Sequence, residues 1–223
     1  MAGTAGLASA LDSLGYVLTE LGRAREAEAP LREALGLATK AAGAQSEPVA
    51  RAETDLGGAI GEQGRAVEAE AHFRRALAIR QTLGREAGDQ APGNTLALSY
   101  NNVASALEDQ GRIDEAEPLF QRALDTRLAV TPPEPRQVAV GYANLAQIRF
   151  ARLDYTGAEA LLRKALALDR AALGPEHIDT ATRELQLGAA LREQLRFTEA
   201  EPLIVHALAV RERALVDAEP GAR

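Results

Sequence analysis

Asn102, Asn144 and Gln186 stand 42 residues apart in turn. A carboxamide carries donors and an acceptor together, so a column of them on one helix face can clamp a peptide backbone whatever its sequence. The same groups serve equally well to cap or bridge adjacent helices. Other chemistry is sparse. His72, His177 and His206 are scattered: one beside Phe73, one in a loop composition, one beside Ala207. No two of them have the i,i+4 spacing of helical metal ligands. There is no cysteine, hence no disulfide framework, thiolate zinc site or catalytic thiol. Serines and aspartates are dispersed, without a nucleophile elbow or a phosphate-binding loop. The expectation is a non-catalytic chain with no cofactor and no metal.

Charge and composition narrow the partner. The formal net charge is −7, and the longest basic run is Arg74-Arg75, so the clustered basic face of a nucleic-acid binder is missing. No stretch approaches the about 18 apolar residues of a membrane span. The N-terminal MAGTAGLASALDSLG lacks the basic and apolar regions of a signal peptide. A cytoplasmic protein with no nucleic-acid or membrane partner is expected.

The elements that position these groups come from a long internal repeat. GRIDEAEPLFQRALDTR (111–127) recurs in altered form from Gly22, Gly64, Leu153 and Leu195, at spacings of 42, 47, 42 and 42 residues. A fixed long period marks stacked helical units, each touching only its neighbours. Each unit reads as two helices. The first carries apolar or small residues at offsets of three and four, as in Leu11, Leu14, Gly15, Leu18 and in Tyr100, Val103, Ala104, Leu107. It ends at Gly-Arg, where glycine accepts the positive φ of a C-terminal cap. Leu153 and Leu195 lack that freedom, so their two turns are expected to be built differently.

The second helix has a small-large-small-large stripe, such as Ala116-Phe120-Ala123-Leu124 and Ala200-Ile204-Ala207-Leu208. The alanines admit a partner helix and the large residues fill beside it. The Glu of each Ala-Glu pair is expected on the outer face, giving i,i+4 pairs Glu28–Arg32, Glu70–Arg74 and Glu159–Arg163. Pro30, Pro118 and Pro202 fall early in their helices and predict slight bends. Loop compositions occupy 40–48, 84–94, 131–136 and 174–179, with the five extra residues of the second unit within or next to 84–94. The organisation expected is one array over 1–223, with repeats at about 8–49, 50–96, 97–138, 139–180 and 181–217.

SYNNVASALEDQGRIDEAEPLFQRALDTR (99–127) and RKALALDRAALGPEHIDTAT (163–182) resemble the tetratricopeptide repeat (TPR), in the 42-residue form found in kinesin light chains. The resemblance covers about 8–217. It implies an all-α, right-handed α-solenoid of about five stacked helix-turn-helix repeats, an α-α superhelix whose first helices line a concave groove for a partner peptide or protein. The heptad coiled coil by which kinesin light chains join their motor has no counterpart here, so a transport role does not carry over.

Register then nominates groove residues: Asp12, Tyr16, Arg51, Asp55, Asn101, Asn102, Ser105, Asn144, Gln147, Gln186 and Arg192. Asparagines at these places resemble those that grip bound peptide backbone in the family. Arg51 and Arg192 lie far apart, so a clamp for acidic chain ends is not expected. Arg149 replaces the Leu or Ile of the other repeats; it either turns into the groove or lays its stem along the surface while Phe150 fills the space. Nothing after Leu208 resembles a polar cap, which points to a segment of a longer array or to self-association through the solenoid ends. Three functions follow: a scaffold or adaptor that binds a partner in the groove, a structural self-assembly unit, or a regulatory arm of a larger signalling protein.

Overall fold

A computed structural model describes residues 2–87 and 93–218. Among these residues there are ten α-helices and no strand: α1 Ala2–Glu20, α2 Ala24–Ala42, α3 Glu47–Gly61, α4 Ala66–Ala87, α5 Gly93–Asp109, α6 Ile113–Ala129, α7 Pro135–Ala151, α8 Tyr155–Leu173, α9 Ile178–Glu193 and α10 Phe197–Ala218. Odd-numbered helices are the first members of the repeats and even-numbered ones the second. No described helix is long and apolar enough to cross a membrane.

The chain divides into two compact units, 1–126 and 127–223. In the first, α1 packs on α2, α2 on α3, α3 on α4 and α4 on α5, and α3 also touches both α1 and α5. First helices therefore lie side by side, as expected of stacked pairs. In the second unit α7 packs on α8, α8 on α9 and α9 on α10.

The packing stripe behaves as its residue sizes dictate. Ala27, Leu31, Leu56, Ala59, Ile60 and Ala69 form one core between α2, α3 and α4, with Phe73 against it. Ala146, Ala158, Leu162, Leu187, Leu191 and Ala200 form the matching core of the second unit. Glycine is required where first and second helices approach most closely. A Cβ on Gly15 would lie 2.3 Å from Leu31, one on Gly57 2.7 Å from Phe73, and one on Gly188 2.6 Å from Ile204. Two members of the stripes depart from expectation. Leu14 is 50% exposed and Leu208 54%, although the residues in register with them are buried or, at Leu35, partly buried. Each belongs to a first or last helix pair, where the described residues supply no further pair on that side.

The turns at Leu153 and Leu195 correct the expectation of a different construction. Both leucines take φ 60°, beside 71°, 78° and 73° at Gly22, Gly64 and Gly111. The hydrogen bonds are also the same. Gly22 N donates to Thr19 O at 2.9 Å and Arg23 N to Leu18 O at 2.8 Å; Leu195 N donates to Arg192 O at 2.9 Å and Arg196 N to Leu191 O at 3.0 Å. This paired closure satisfies the last helix carbonyls, and it holds a leucine in the left-handed region. Helices α2, α6 and α10 run unbroken through Pro30, Pro118 and Pro202. Part of the expected 84–94 loop is helical: α4 continues to Ala87 and α5 starts at Gly93. The remainder of that stretch lies outside the described residues.

Candidate functional site

The column of register-equivalent positions is Ser13, Asp55, Asn102, Asn144 and Gln186. In the first unit, Asn102 and Ser105 on α5 line an open cavity of about 480 Å³. Gly58 and Glu62 of α3 and its end, Phe73 of α4 and Asp109 of α5 complete its wall. Asn102 is half-buried, and its carboxamide makes no hydrogen bond to another described residue. Gly58, which is in register with Ser105, leaves open space where a side chain would project. Glu62 and Asp109 are exposed, and no cation lines the cavity. Such a surface offers amide donors and acceptors beside two carboxylates, and it suits a donor-rich or cationic guest.

Asp12, Arg51 and Asp55 are also brought together in the first unit, but they engage one another. Arg51 Nε donates to Asp12 Oδ2 at 2.7 Å. Asp12 is buried rather than presented for a partner, and Asn101, one turn position equivalent to it, is buried too. These two are corrections to the expected groove lining: each sits one residue towards the core from the column. Burial pushes the Asp55 carboxyl up to about 7, the Asp12 charge adds to the rise, and Arg51 and Arg80 oppose it. Tyr16 is exposed on α1.

In the second unit Asn144 is half-buried and Gln147 exposed on α7, and neither hydrogen-bonds within the described chain. Gln186 Oε1 accepts from Arg183 at 3.0 Å, and Arg192 is exposed and pairs with Glu193 at 2.9 Å. Arg149 is partly exposed, 3.8 Å from Asp154, while Phe150 stacks edge-on against Tyr155 with ring centroids 5.0 Å apart.

A family profile described as Tetratricopeptide repeat matches residues 6–82 and 137–213, and a second of the same description matches 96–134. The chain belongs to the tetratricopeptide repeat family. No curated protein matches this TPR sequence. Among solved structures it is similar to a Podosopora anserina chain named for kinesin light chain with nearly identical TPR-like repeats, at 18% identity and TM-score 0.77 over 96% of this chain and 99% of that one. It is similar to BtubC (BKLC) from P. vanneervenii at 23% identity and TM-score 0.77, over 99% and 84%. It is also similar to pilF of Pseudomonas aeruginosa at 20% identity and TM-score 0.66, over 93% and 78%. At these identities the likeness speaks for the shared fold.

The TPR framework contains charged networks that periodicity alone did not reveal. In two repeats the Glu of the Ala-Glu pair is not on a solvated outer face, whereas Glu201 of the fifth is exposed. Glu70 is 7% exposed, and Glu159 is buried as well. Each is clamped by the turn of the following repeat. Gln110 donates to Glu70 at 2.9 Å and to Ala106 O at 2.8 Å, and Arg112 reaches Glu70 at 2.8 Å and Glu115 at 2.7 Å. Gln63 and Arg65 do the same to Glu28, at 3.2 and 2.7 Å; Gln194 and Arg196 do so to Glu159, at 2.9 and 2.5 Å. The i,i+4 pairs expected on this face, Glu28–Arg32, Glu70–Arg74 and Glu159–Arg163, form as well. The recurrence of Gln-x-Arg around each of these turns was the available signal. The fourth repeat replaces that pattern with Arg152, Leu153 and Asp154, and Asp154 there caps α8 by accepting from Gly157 N at 2.9 Å.

The histidines have structural partners. His72 Nδ1 lies 2.6 Å from the buried Glu53. His206 Nδ1 lies 2.6 Å from Glu184, which also accepts from Arg170 at 2.6 Å. Hydrogen bonding to Glu184 and then Glu176 raises the His206 pKa above its ordinary value. His177 accepts from Asp179 N at 3.1 Å at the start of α9. No group of three or more His, Asp or Glu among the described residues is placed to hold a metal ion.

Proposed function

We propose that this TPR chain is a non-catalytic scaffold or adaptor that binds an extended peptide segment of a partner protein along its first helices. TPR repeats form a protein-interaction scaffold family, which sets the class. The observation that carries the finer reading is the unspent Asn102 carboxamide, which opens with Ser105 into a 480 Å³ cavity flanked by Glu62 and Asp109. A peptide backbone supplies what the carboxamide lacks, one acceptor and one donor per residue. The two carboxylates favour a Lys or Arg side chain on the guest beside the gripped backbone. Asn144 and Gln147 offer the same chemistry in the second unit.

A displayed random-peptide library panned against the wild-type protein tests this. Recovered peptides are expected to be enriched in Lys or Arg, and Asn102→Ala is expected to weaken them at least about tenfold, the loss of one to two well-made hydrogen bonds. Asn102→Ala with Asn144→Ala, shown folded by circular dichroism, that still binds them undiminished would remove the carboxamides from the site.

Self-assembly is favoured by a separate observation. Leu7, Leu14 and Val17 of α1, Leu21 in the turn after it, and Val205, Leu208, Leu215 and Val216 of α10, are exposed apolar residues. Sedimentation velocity separates the readings: a mass independent of concentration discards assembly, and a rising mass that Leu208→Glu abolishes supports it.

A further inference from the structure

The second and fifth repeats pair an acid on the first helix with a cation on the second at equivalent places. Arg75 Nε donates to Glu53 at 3.0 Å in the second repeat, and His206 meets Glu184 at 2.6 Å in the fifth. The same two places in the fourth repeat hold Tyr142 and Lys164. The Lys164 ammonium lies over the Tyr142 ring, 5.3 Å from its centroid, and forms no ion pair with a described residue. A ring face attracts a cation much less than a carboxylate does, and it leaves the ammonium's donors unused.

The surroundings of Lys164 are apolar. It borders a groove of about 510 Å³ lined by Leu128, Pro133, Pro135, Val138, Tyr142 and Leu168. Leu128 is exposed, with Pro133 and Pro135 beside it on the surface. The nearest acid in the loop, Glu134, is close enough to Arg127 to oppose the fall that burial imposes on that guanidinium's pKa. An apolar trough with one unpaired ammonium at its edge takes an apolar side chain next to a negative charge.

We propose that this groove in the fourth repeat is a docking site for a partner segment in which an Asp or Glu side chain adjoins a large apolar residue. The carboxylate would take the place on Lys164 that Glu53 and Glu184 fill on Arg75 and His206, and the apolar residue would lie between the prolines and Leu168. A side-chain carboxylate is the source because the chain's own two examples are side chains. The site belongs wholly to the second unit and is independent of the Asn102 cavity, whose expected guest is cationic.

The test is a fluorescence-anisotropy titration of the full chain with blocked, labelled peptides in which Glu, Gln or Lys precedes Leu-Phe. The Glu peptide is expected to bind, the Gln peptide at least about tenfold more weakly, as loss of one charge-assisted contact implies, and the Lys peptide not at all. Lys164→Gln is expected to erase the difference between Glu and Gln peptides, Lys164→Arg to keep it, and Asn102→Ala to leave it unchanged. Lys164 is exposed, so these variants fold normally, which circular dichroism checks. Equal binding of Glu and Gln peptides, full binding to Lys164→Gln, or failure of the Glu peptide to bind would overturn the proposal. So would a Gln peptide with a free C-terminal carboxylate that binds as tightly as the blocked Glu peptide, since the site would then read chain ends.

Discussion

Leu153 and Leu195 show how firmly the repeat geometry is imposed on individual residues. Each is 70% or more exposed, at 70% and 74%, so neither gains burial in return for a left-handed backbone. That conformation costs an L-residue roughly 1–2 kcal/mol, part of which glycine gives back in unfolded-state entropy. Leu153→Gly and Leu195→Gly are each expected to stabilise by about 0.5–1 kcal/mol, read as a higher thermal midpoint. Gly57→Ala is expected to act in the other direction, because its Cβ meets the Phe73 ring; overpacking of this kind costs about 1–3 kcal/mol. Asp55 carries a pH-dependent cost. Its carboxyl is held at about 7 against 3.8, so the folded state loses stability as pH rises between those values. Asp55→Asn puts the carboxamide of Asn102 and Asn144 at this position. It is expected to raise stability by about 1–2 kcal/mol at pH 8 and to change little at pH 3, by denaturant titration at the two pH values.

At the scale of the element, the helix-to-helix turn does two things. It reverses the chain, and it presents Gln and Arg to the Glu of the preceding repeat. Glu70 lies within the Gln110 and Arg112 contacts, so removing a donor leaves a buried acceptor, whereas an exposed ion pair is worth little. Arg112→Ala is expected to destabilise clearly more than Arg25→Ala, an exposed arginine of α2 outside the clamp. Equal effects of the two in urea unfolding would show that the clamp contributes nothing beyond surface charge. The first helices contribute in a different way. Their core-facing residues are fixed by packing, and among the described residues the neighbouring register, Asn102 and Asn144 with Ser105 and Gln147, keeps unused hydrogen-bonding groups.

For the whole molecule these groups shape a single pH profile. Hydrogen bonds from Arg32 and then Arg65 hold the Glu28 carboxyl at about 2, against 4.5. A depressed acid stabilises the fold above its unfolded value, and that contribution is lost as pH falls from about 4.5 towards 2. His206 is raised above 6.5 by Glu184 and Glu176, so its contribution is full below 6.5 and lost as pH rises through its folded value. Asp55 loses stability from about pH 3.8 to about 7, which draws the optimum towards the lower end of the interval these two leave. Maximum stability is therefore expected between about pH 4.5 and 6.5, and His206→Asn is expected to flatten the alkaline limb. A thermal-midpoint series across pH, for wild type and variant, reads both.

How much was legible follows from where each interaction is encoded. The five copies, the paired helices, the small-large stripe and the turn positions are local patterns at a fixed period, and stacking identical units leaves few ways to bury them. The family followed from the same residues. Asn102, Asn144 and Gln186 could be placed on one register by counting alone. Which of them keeps a free carboxamide could not, because that depends on neighbours brought in from other helices: Arg183 takes Gln186, while nothing takes Asn102. The burial of Asp12 and Asn101, the clamping of Glu70 by a residue 42 positions on, and the left-handed leucines likewise emerge only when repeats stack. So does the Lys164 groove, where a tyrosine in place of an acid leaves a charge unpaired. Sequence period determined the framework because packing a repeat is a local problem; tertiary structure decided which polar groups remain unspent, because satisfying them is not.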